Sequence, residues 1–246
     1  VKAIILAAGR GSRMGGATAD QPKCLTPLHG RTLLDWQVEA LRDAGIESIA
    51  LVRGYMGEKL PRDGWRTFDN ARWAETNMVM SLACASAWLA SDVCLVSYSD
   101  IVYPAATARA LAAAQGDIAI TYYKDWRRLW EARFKDPLSD AETFRLDAAG
   151  RLLDIGARPR DLDEVQGQYM GLLRFTPRGW QWVEEALAGI GAGQRDKLDM
   201  TSLLRMLLAR GHPIAAVSVQ EPWYEVDSQS DLELYQAMAT RRGGLF

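Results

Sequence analysis

Along the 246 residues the apolar positions change period repeatedly, and each change marks an element. Lys2–Leu6 predicts a strand, and its short continuous apolar run Ala3–Leu6 is the pattern of burial on both faces. Leu33–Ala44 spaces its apolar residues by three and four, which predicts an amphipathic helix ending at Gly45. Ser48–Val52 and Trp65–Phe68 predict strands, Met78–Ala90 a helix and Val93–Tyr98 a strand. Pro104–Gln115 predicts a helix with proline in its first turn, and Ile118–Tyr122 a strand. This alternation implies an α/β fold, a mostly parallel sheet with helices on both faces.

The rhythm changes after Lys124. Residues 124–140 are polar and aromatic, and Thr143–Leu146 with Arg151–Ile155 predict a hairpin around Gly150. Gln168–Phe175 predicts a strand, Thr176–Ala188 a helix opened by Thr176-Pro177, and Gly189–Gln194 a glycine-rich loop. Met200–Ala209 predicts a helix, Ile214–Val219 a strand and Ser228–Arg241 a final helix. No internal repeat is visible, so residues 1–246 read as one domain. Residues 124–175 read as an insertion with a little β-structure that forms the acceptor side of a site.

Composition narrows the function classes. The chain is 48% hydrophobic and 24% charged, ordinary for a globular protein. A net charge of −2 offers no basic footprint for nucleic acid or an acidic membrane. No apolar run reaches bilayer length, and the first residues enter a strand without a signal-peptide pattern. Cys24, Cys84 and Cys94 have no metal-like spacing and read as reduced residues of a cytoplasmic protein. Monomer and homodimer both stay open.

The chemistry begins where the first strand ends. Leu6-Ala7-Ala8-Gly9-Arg10-Gly11-Ser12-Arg13 lets backbone amides approach an anion, and Arg13 and Lys23 add fixed positive charge. That is a phosphate site. It is not a P-loop, because Gly-x-x-x-x-Gly-Lys-Ser/Thr is absent. Nor is it the dinucleotide fingerprint, since Met14 stands where the third glycine belongs and no helix starts at once. The strand Val93–Tyr98 runs into Asp100, and Asp227 lies between a strand-like segment and the last helix. Two carboxylates at such ends suit Mg²⁺, which takes one or two carboxylates and completes its shell with water and phosphate oxygens. Asp227 also reads as an ordinary helix cap, though Ser228 or Ser230 can cap instead.

The acceptor side is written in aromatics and charges. Trp126 and Trp130 share a face if their segment is helical, and with Tyr169 and Trp223 they could box a quaternary ammonium. They read equally well as packing for the insertion. Glu131, Asp140 and Glu142 suit a primary ammonium, and Arg127, Arg128 or Arg133 a carboxylate or phosphonate.

Leu6-Ala7-Ala8-Gly9-Arg10-Gly11-Ser12-Arg13-Met14 followed by Pro22-Lys23 resembles the signature of the nucleotidyltransferase superfamily. Gln21–Leu25, Val52–Tyr55, Thr76–Ser81, Tyr98–Ile101 and Trp223–Asp227 extend the likeness toward phosphocholine cytidylyltransferase-like enzymes. Ser99-Asp100, where sugar-nucleotide members often carry Gly-Asp, also favours that branch. The resemblance implies a Rossmann-like fold, and CTP bound across Leu6, Ala7, Ala8, Gly9, Gly11 and Ser12. It implies Asp100 and Asp227 as Mg²⁺ ligands, Arg53, Gly54 and Tyr55 along the nucleotide pocket, and Asn77 and Ser81 at the base or ribose. Arg13 and Lys23 would be catalytic, moving CMP to the phosphate or phosphonate of a small, amine-bearing acceptor with release of pyrophosphate. Trp126, Trp130, Glu142, Tyr169 and Trp223 would hold that acceptor. The alternatives are a sugar-1-phosphate nucleotidylyltransferase and, from another class, a non-catalytic nucleotide-binding domain.

Overall fold

The computed structural model describes residues 1–60 and 64–238. In chain order its strands are β1 (Lys2–Ala7), β2 (Pro27–Leu28), β3 (Arg31–Thr32), β4 (Ile49–Arg53), β5 (Arg66–Asp69), β6 (Cys94–Tyr98) and β7 (Ile101–Val102). Then come β8 (Ile118–Tyr123), β9 (Phe144–Leu146), β10 (Leu152–Ile155), β11 (Gln168–Phe175), β12 (Ala215–Val219) and β13 (Tyr224–Glu225). The helices are α1 (Leu33–Asp43), α2 (Met78–Ala83), α3 (Ser86–Leu89), α4 (Ala105–Ala112), α5 (Trp126–Arg133), α6 (Pro177–Ala188), α7 (Ala192–Lys197), α8 (Met200–Ala209) and α9 (Gln229–Ala237).

Among the described residues the main sheet has the order β12-β8-β11-β6-β1-β4-β5. Its strands are parallel except β11, which runs antiparallel to both β6 and β8. β1 alternates its side chains into two cores, as a period of two requires. Ala3, Ile5 and Ala7 face one with α1 and α4, while Ile4, Leu6 and Ala8 face the other with α2, α6 and α8. Burial on both faces is why β1 reads as an unbroken apolar run. The expected mostly parallel, helix-flanked α/β sheet is present.

Four local expectations need correction. Residues 78–90 are two helices, because i→i−3 bonds from Cys84 to Ser81 and from Ala85 to Leu82 tighten the chain between α2 and α3. The segment expected as a loop at 189–194 already enters α7 at Ala192. The last helix starts after its N-cap Ser228, and the part expected beyond residue 238 lies outside the described residues. Gln168–Phe175, grouped with the insertion in the sequence reading, is a central strand of the main sheet, so the chain's excursion from that sheet spans 124–167.

One small ladder sets up the site. β13 pairs antiparallel with β7, and the Val226 N–H donates to the Asp100 carbonyl at 2.9 Å. This brings Asp227 beside Asp100 although they lie 127 positions apart in sequence.

Candidate active site

β1 delivers the chain to the carboxyl edge of the sheet, where ligands bind in open α/β folds. After Ala8 the backbone turns, and Gly11 adopts φ +65°. A Cβ there would stand 2.9 Å from the Lys23 side chain, so glycine is what lets the lysine stem cross the loop. Tyr55 braces the loop from behind. Its N–H donates to the Ala8 carbonyl at 3.0 Å, and its hydroxyl to the Ala19 carbonyl at 3.0 Å. Gly54 fits this close approach, since a Cβ would meet the Ala8 oxygen at 2.6 Å.

Lys23 is the buried centre of the site. Its Nζ donates to Asp100 Oδ2 at 2.6 Å and to Asp227 Oδ1 at 2.8 Å, with the side chain only 7% exposed. Burial works against its charge, but the two carboxylates outweigh that cost and hold the ammonium above the usual lysine range. Arg13, largely exposed, pairs with the other oxygen of Asp227. The cations of the loop and the carboxylates of two distant strand ends are therefore preassembled into one cluster.

Two cavities meet at this cluster. The first, of about 310 Å³, is lined by Leu6, Ala8, Gly9, Gly11, Ser12, Arg13 and Lys23, by Asn77 and Ser81, and by Asp100 and Asp227. The second, of about 340 Å³, shares Arg13, Met78, Tyr98 and Asp227 with the first. Its walls carry Asp140, Glu142, Asp199 and Glu225, together with Trp130 and Tyr169. Burial, with Asp199 and Asp140 nearby, pushes the Glu142 carboxyl up to about 7, while Arg205 pulls the other way. Burial likewise raises Asp140.

The sequence-derived residues divide accordingly. Ala7 is buried beneath the loop. Arg53 lies outside the first cleft. It is 6% exposed and holds Asp69, its partner on β5, through two bonds of 2.9 Å. Gly54 and Tyr55 support the loop from behind and do not line the cavity. Asn77 lines the cleft while its Oδ1 caps α2 and its Nδ2 donates to the Lys197 carbonyl. Ser81 is 6% exposed and accepts from Asn70 Nδ2.

The proposed aromatic box is largely core. Trp126 is buried with its Nε1 donating to the Val165 carbonyl at 3.1 Å. Trp223 is 1% exposed and stacks on Trp130 at 5.9 Å. Trp130, Glu142 and Tyr169 reach the second cavity, whereas Trp126 and Trp223 line neither. Large aromatic rings gain most by burying against one another in stacked or edge-to-face pairs. Arg133, read as an acceptor-binding cation, is 1% exposed and already bonded to Asp231 and Glu225. Arg127 pairs with Glu131 on the exposed side of α5.

Sequence reasoning missed Trp73 in the first cavity, and Gln168, Asp199 and Glu225 in the second. Asp199 caps α8 through Ser202 N at 2.7 Å, so its sequence signal is that of an ordinary cap. Glu225 lies two residues before Asp227, within a segment already singled out.

The donor set fits Mg²⁺. Asp100 Oδ1 is buried without a hydrogen-bond partner, and both carboxylates supply hard oxygens. No group of three or more His, Cys, Asp or Glu side chains able to hold an ion occurs among the described residues. The pair would therefore leave most of the shell to water and phosphate oxygens. None of the helices among the described residues is long and apolar enough to cross a membrane.

Comparison with known proteins agrees with this architecture. The CTP:phosphoglutamine cytidylyltransferase of Campylobacter jejuni is 35% identical over 95% of this chain and 98% of its own. The CMP-5'-(3-aminopropyl)phosphonate synthase of Streptomyces rubellomurinus is 31% identical over 94% of this chain and 37% of its own. The structure of CTP:phosphocholine cytidylyltransferase from Streptococcus pneumoniae superposes with a TM-score of 0.65. It is 21% identical and covers 96% of this chain and 97% of that one, which establishes a shared fold. The model of the MobA-like NTP transferase domain matches residues 3–216, and this chain belongs to that family.

Proposed function

We propose that this chain transfers CMP from CTP to a phosphate or phosphonate oxygen of a small, amine-bearing acceptor and releases pyrophosphate. The observation that carries the reading is the meeting of two unlike cavities at Arg13 and Asp227, beside Lys23. The first cavity suits a triphosphate, with its glycine loop and its cations. The second suits an ammonium, because Asp140, Glu142, Asp199 and Glu225 line it in addition to the shared Asp227, while Arg13 stands at its junction with the first. A neutral hexose would bring no cation to Asp140, Glu142 and Asp199, which disfavours the sugar-phosphate alternative. The relatives named for phosphoglutamine and an aminopropylphosphonate support the same acceptor chemistry.

The acceptor oxyanion attacks the α-phosphorus in line. A bond forms from that oxygen to the α-phosphorus as the bond to the bridging oxygen of pyrophosphate breaks, and pyrophosphate leaves with the electron pair. The nucleophile is already ionised, so no general base is required, and catalysis is alignment plus charge neutralisation. Lys23 is fixed by two carboxylates and stays charged, and it would bridge the α-phosphate and the incoming oxygen. Arg13 neutralises the departing pyrophosphate. Asp100 and Asp227 would hold Mg²⁺, which supplies further neutralisation of the triphosphate when bound. The thiols of Cys24, Cys84 and Cys94 are all free, as suits a reducing cytoplasmic setting.

Pyrophosphate release, measured with each of the common nucleoside triphosphates against a panel of acceptors, tests the reading. The panel holds aminoalkylphosphonates, phosphorylated amino acids, phosphocholine and hexose 1-phosphates. Release with CTP and an amine-bearing acceptor is expected. Release with hexose phosphates alone would overturn it in favour of the sugar alternative, and no release with any pair would favour a binding domain.

A further inference from the structure

We infer that Arg133, carried by α5 in the excursion outside the sheet, is a positioning residue for Asp227. The inference rests on the proposed role of Asp227. The Arg133 guanidinium is buried, and it grips Asp231 with two bonds, Nε to Oδ1 at 2.8 Å and Nη2 to Oδ2 at 3.2 Å. Its Nη1 donates to Glu225 Oε2 at 3.2 Å. Asp231 Oδ2 in turn accepts from the Asp227 N–H at 3.1 Å, the Ser228 N–H at 2.9 Å and the Ser228 hydroxyl at 2.8 Å. Asp231 is thus the third residue of a capping box, and its carboxylate fixes the backbone from which Asp227 projects.

An ordinary capping box needs no buried arginine behind it. Sinking a cation here carries a desolvation cost that well-packed apolar side chains would avoid. What the fork adds is a fixed direction for the Asp231 carboxylate and, through Glu225, a hold on the strand two residues before Asp227. The same guanidinium lies 4.9 Å from the ring centres of Trp130 and Phe134. Trp130 and Glu225 both line the second cavity. Arg133 therefore ties the wall of the acceptor cavity to the backbone of Asp227. Lysine could supply the charge but not the planar fork.

The test joins turnover with an activity-free measurement. Arg133→Lys, shown to be folded by circular dichroism, is expected to lower kcat about tenfold or more with the KM for CTP nearly unchanged. In an Asp227→Asn background the same substitution should add less than about twofold, because its effect runs through the side chain already removed. Amide hydrogen exchange at Asp227 and Ser228 should quicken by on the order of tenfold in Arg133→Lys. If that variant does not fold, Asp231→Asn serves in its place, with the same expected pattern. Wild-type turnover in the folded variant, an equal loss of turnover in both backgrounds, or unchanged exchange at the two amides would each overturn the inference. Full activity of Asp227→Asn would instead refute the proposed role of Asp227, and the exchange result would still decide whether Arg133 holds that backbone.

Discussion

In the first cavity the charges answer one another: Lys23 lies between Asp100 and Asp227, and Arg13 pairs with Asp227. In the second, Asp140, Glu142, Asp199 and Glu225 crowd one space, and burial raises the carboxyls of Asp140, Glu142 and Glu225. The first arrangement is preorganised, so little need rearrange when charge shifts during phosphoryl transfer. The second crowds like charges with Arg133 answering only Glu225 among them, a tension that the ammonium of the proposed acceptor would relieve. The contrast separates reaction from recognition. The cluster at the strand ends suits any nucleotidyl transfer, whereas on the proposed reading the acidic cavity would select what receives the nucleotide.

The largest expected effect breaks the first region. Lys23→Ala should reduce kcat by roughly 10²–10³-fold while the KM for CTP changes by no more than about threefold, as steady-state rates would read. A weaker KM with intact kcat would make Lys23 a binding residue only. A smaller effect sharpens the second region. On the proposed reading the acceptor KM should fall as pH rises from about 6 to about 8, because Glu142 ionises through about 7 and then attracts the ammonium. The sign follows from a raised carboxyl, which is largely neutral below that point and charged above it. Glu142→Gln should raise the acceptor KM about tenfold at the upper pH and make the profile shallower, with Glu225, also pushed up to about 7, still ionising in that range. The acceptor's own phosphate titrates near pH 6 in both enzymes, so the difference between the two profiles isolates Glu142. By contrast Trp126→Phe, which removes a buried bond to Val165, should cost about 1 kcal/mol of stability in denaturant melts and leave the acceptor KM within about twofold.

The same two regions differ in how far the sequence reveals them. The phosphate loop is legible because strand, glycines, Arg13 and Lys23 fall within 23 residues, and because backbone constraints make their spacing strict. Asp100 is legible as the end of an apolar strand. Asp227 shares its signal with a helix cap, and the structure gives that cap to Ser228, with Asp231 closing the box. The second cavity draws on residues 140, 142, 168, 169, 199 and 225, brought together only by the sheet order and by the reversal at β11. No local pattern announces such a set. Tryptophan spacing was a misleading guide there. Trp126 and Trp130 do share α5, but Trp126 satisfies its N–H on Val165, and only Trp130 reaches the cavity. Arg53 misled for a related reason, since its position beside the nucleotide loop gives no hint of Asp69 across the strand pair.

The proposed bond-making step has a direct test in the fate of acceptor oxygen. An amine-bearing acceptor whose phosphate or phosphonate oxygens are 18O is incubated with unlabelled CTP, and the product is read by ³¹P magnetic resonance. Attack by the acceptor on the α-phosphorus places a heavy oxygen in the bridge, so the cytidylyl phosphorus must show the isotope shift while pyrophosphate stays unlabelled. A product with an unlabelled bridge, or label appearing in pyrophosphate, would contradict the account.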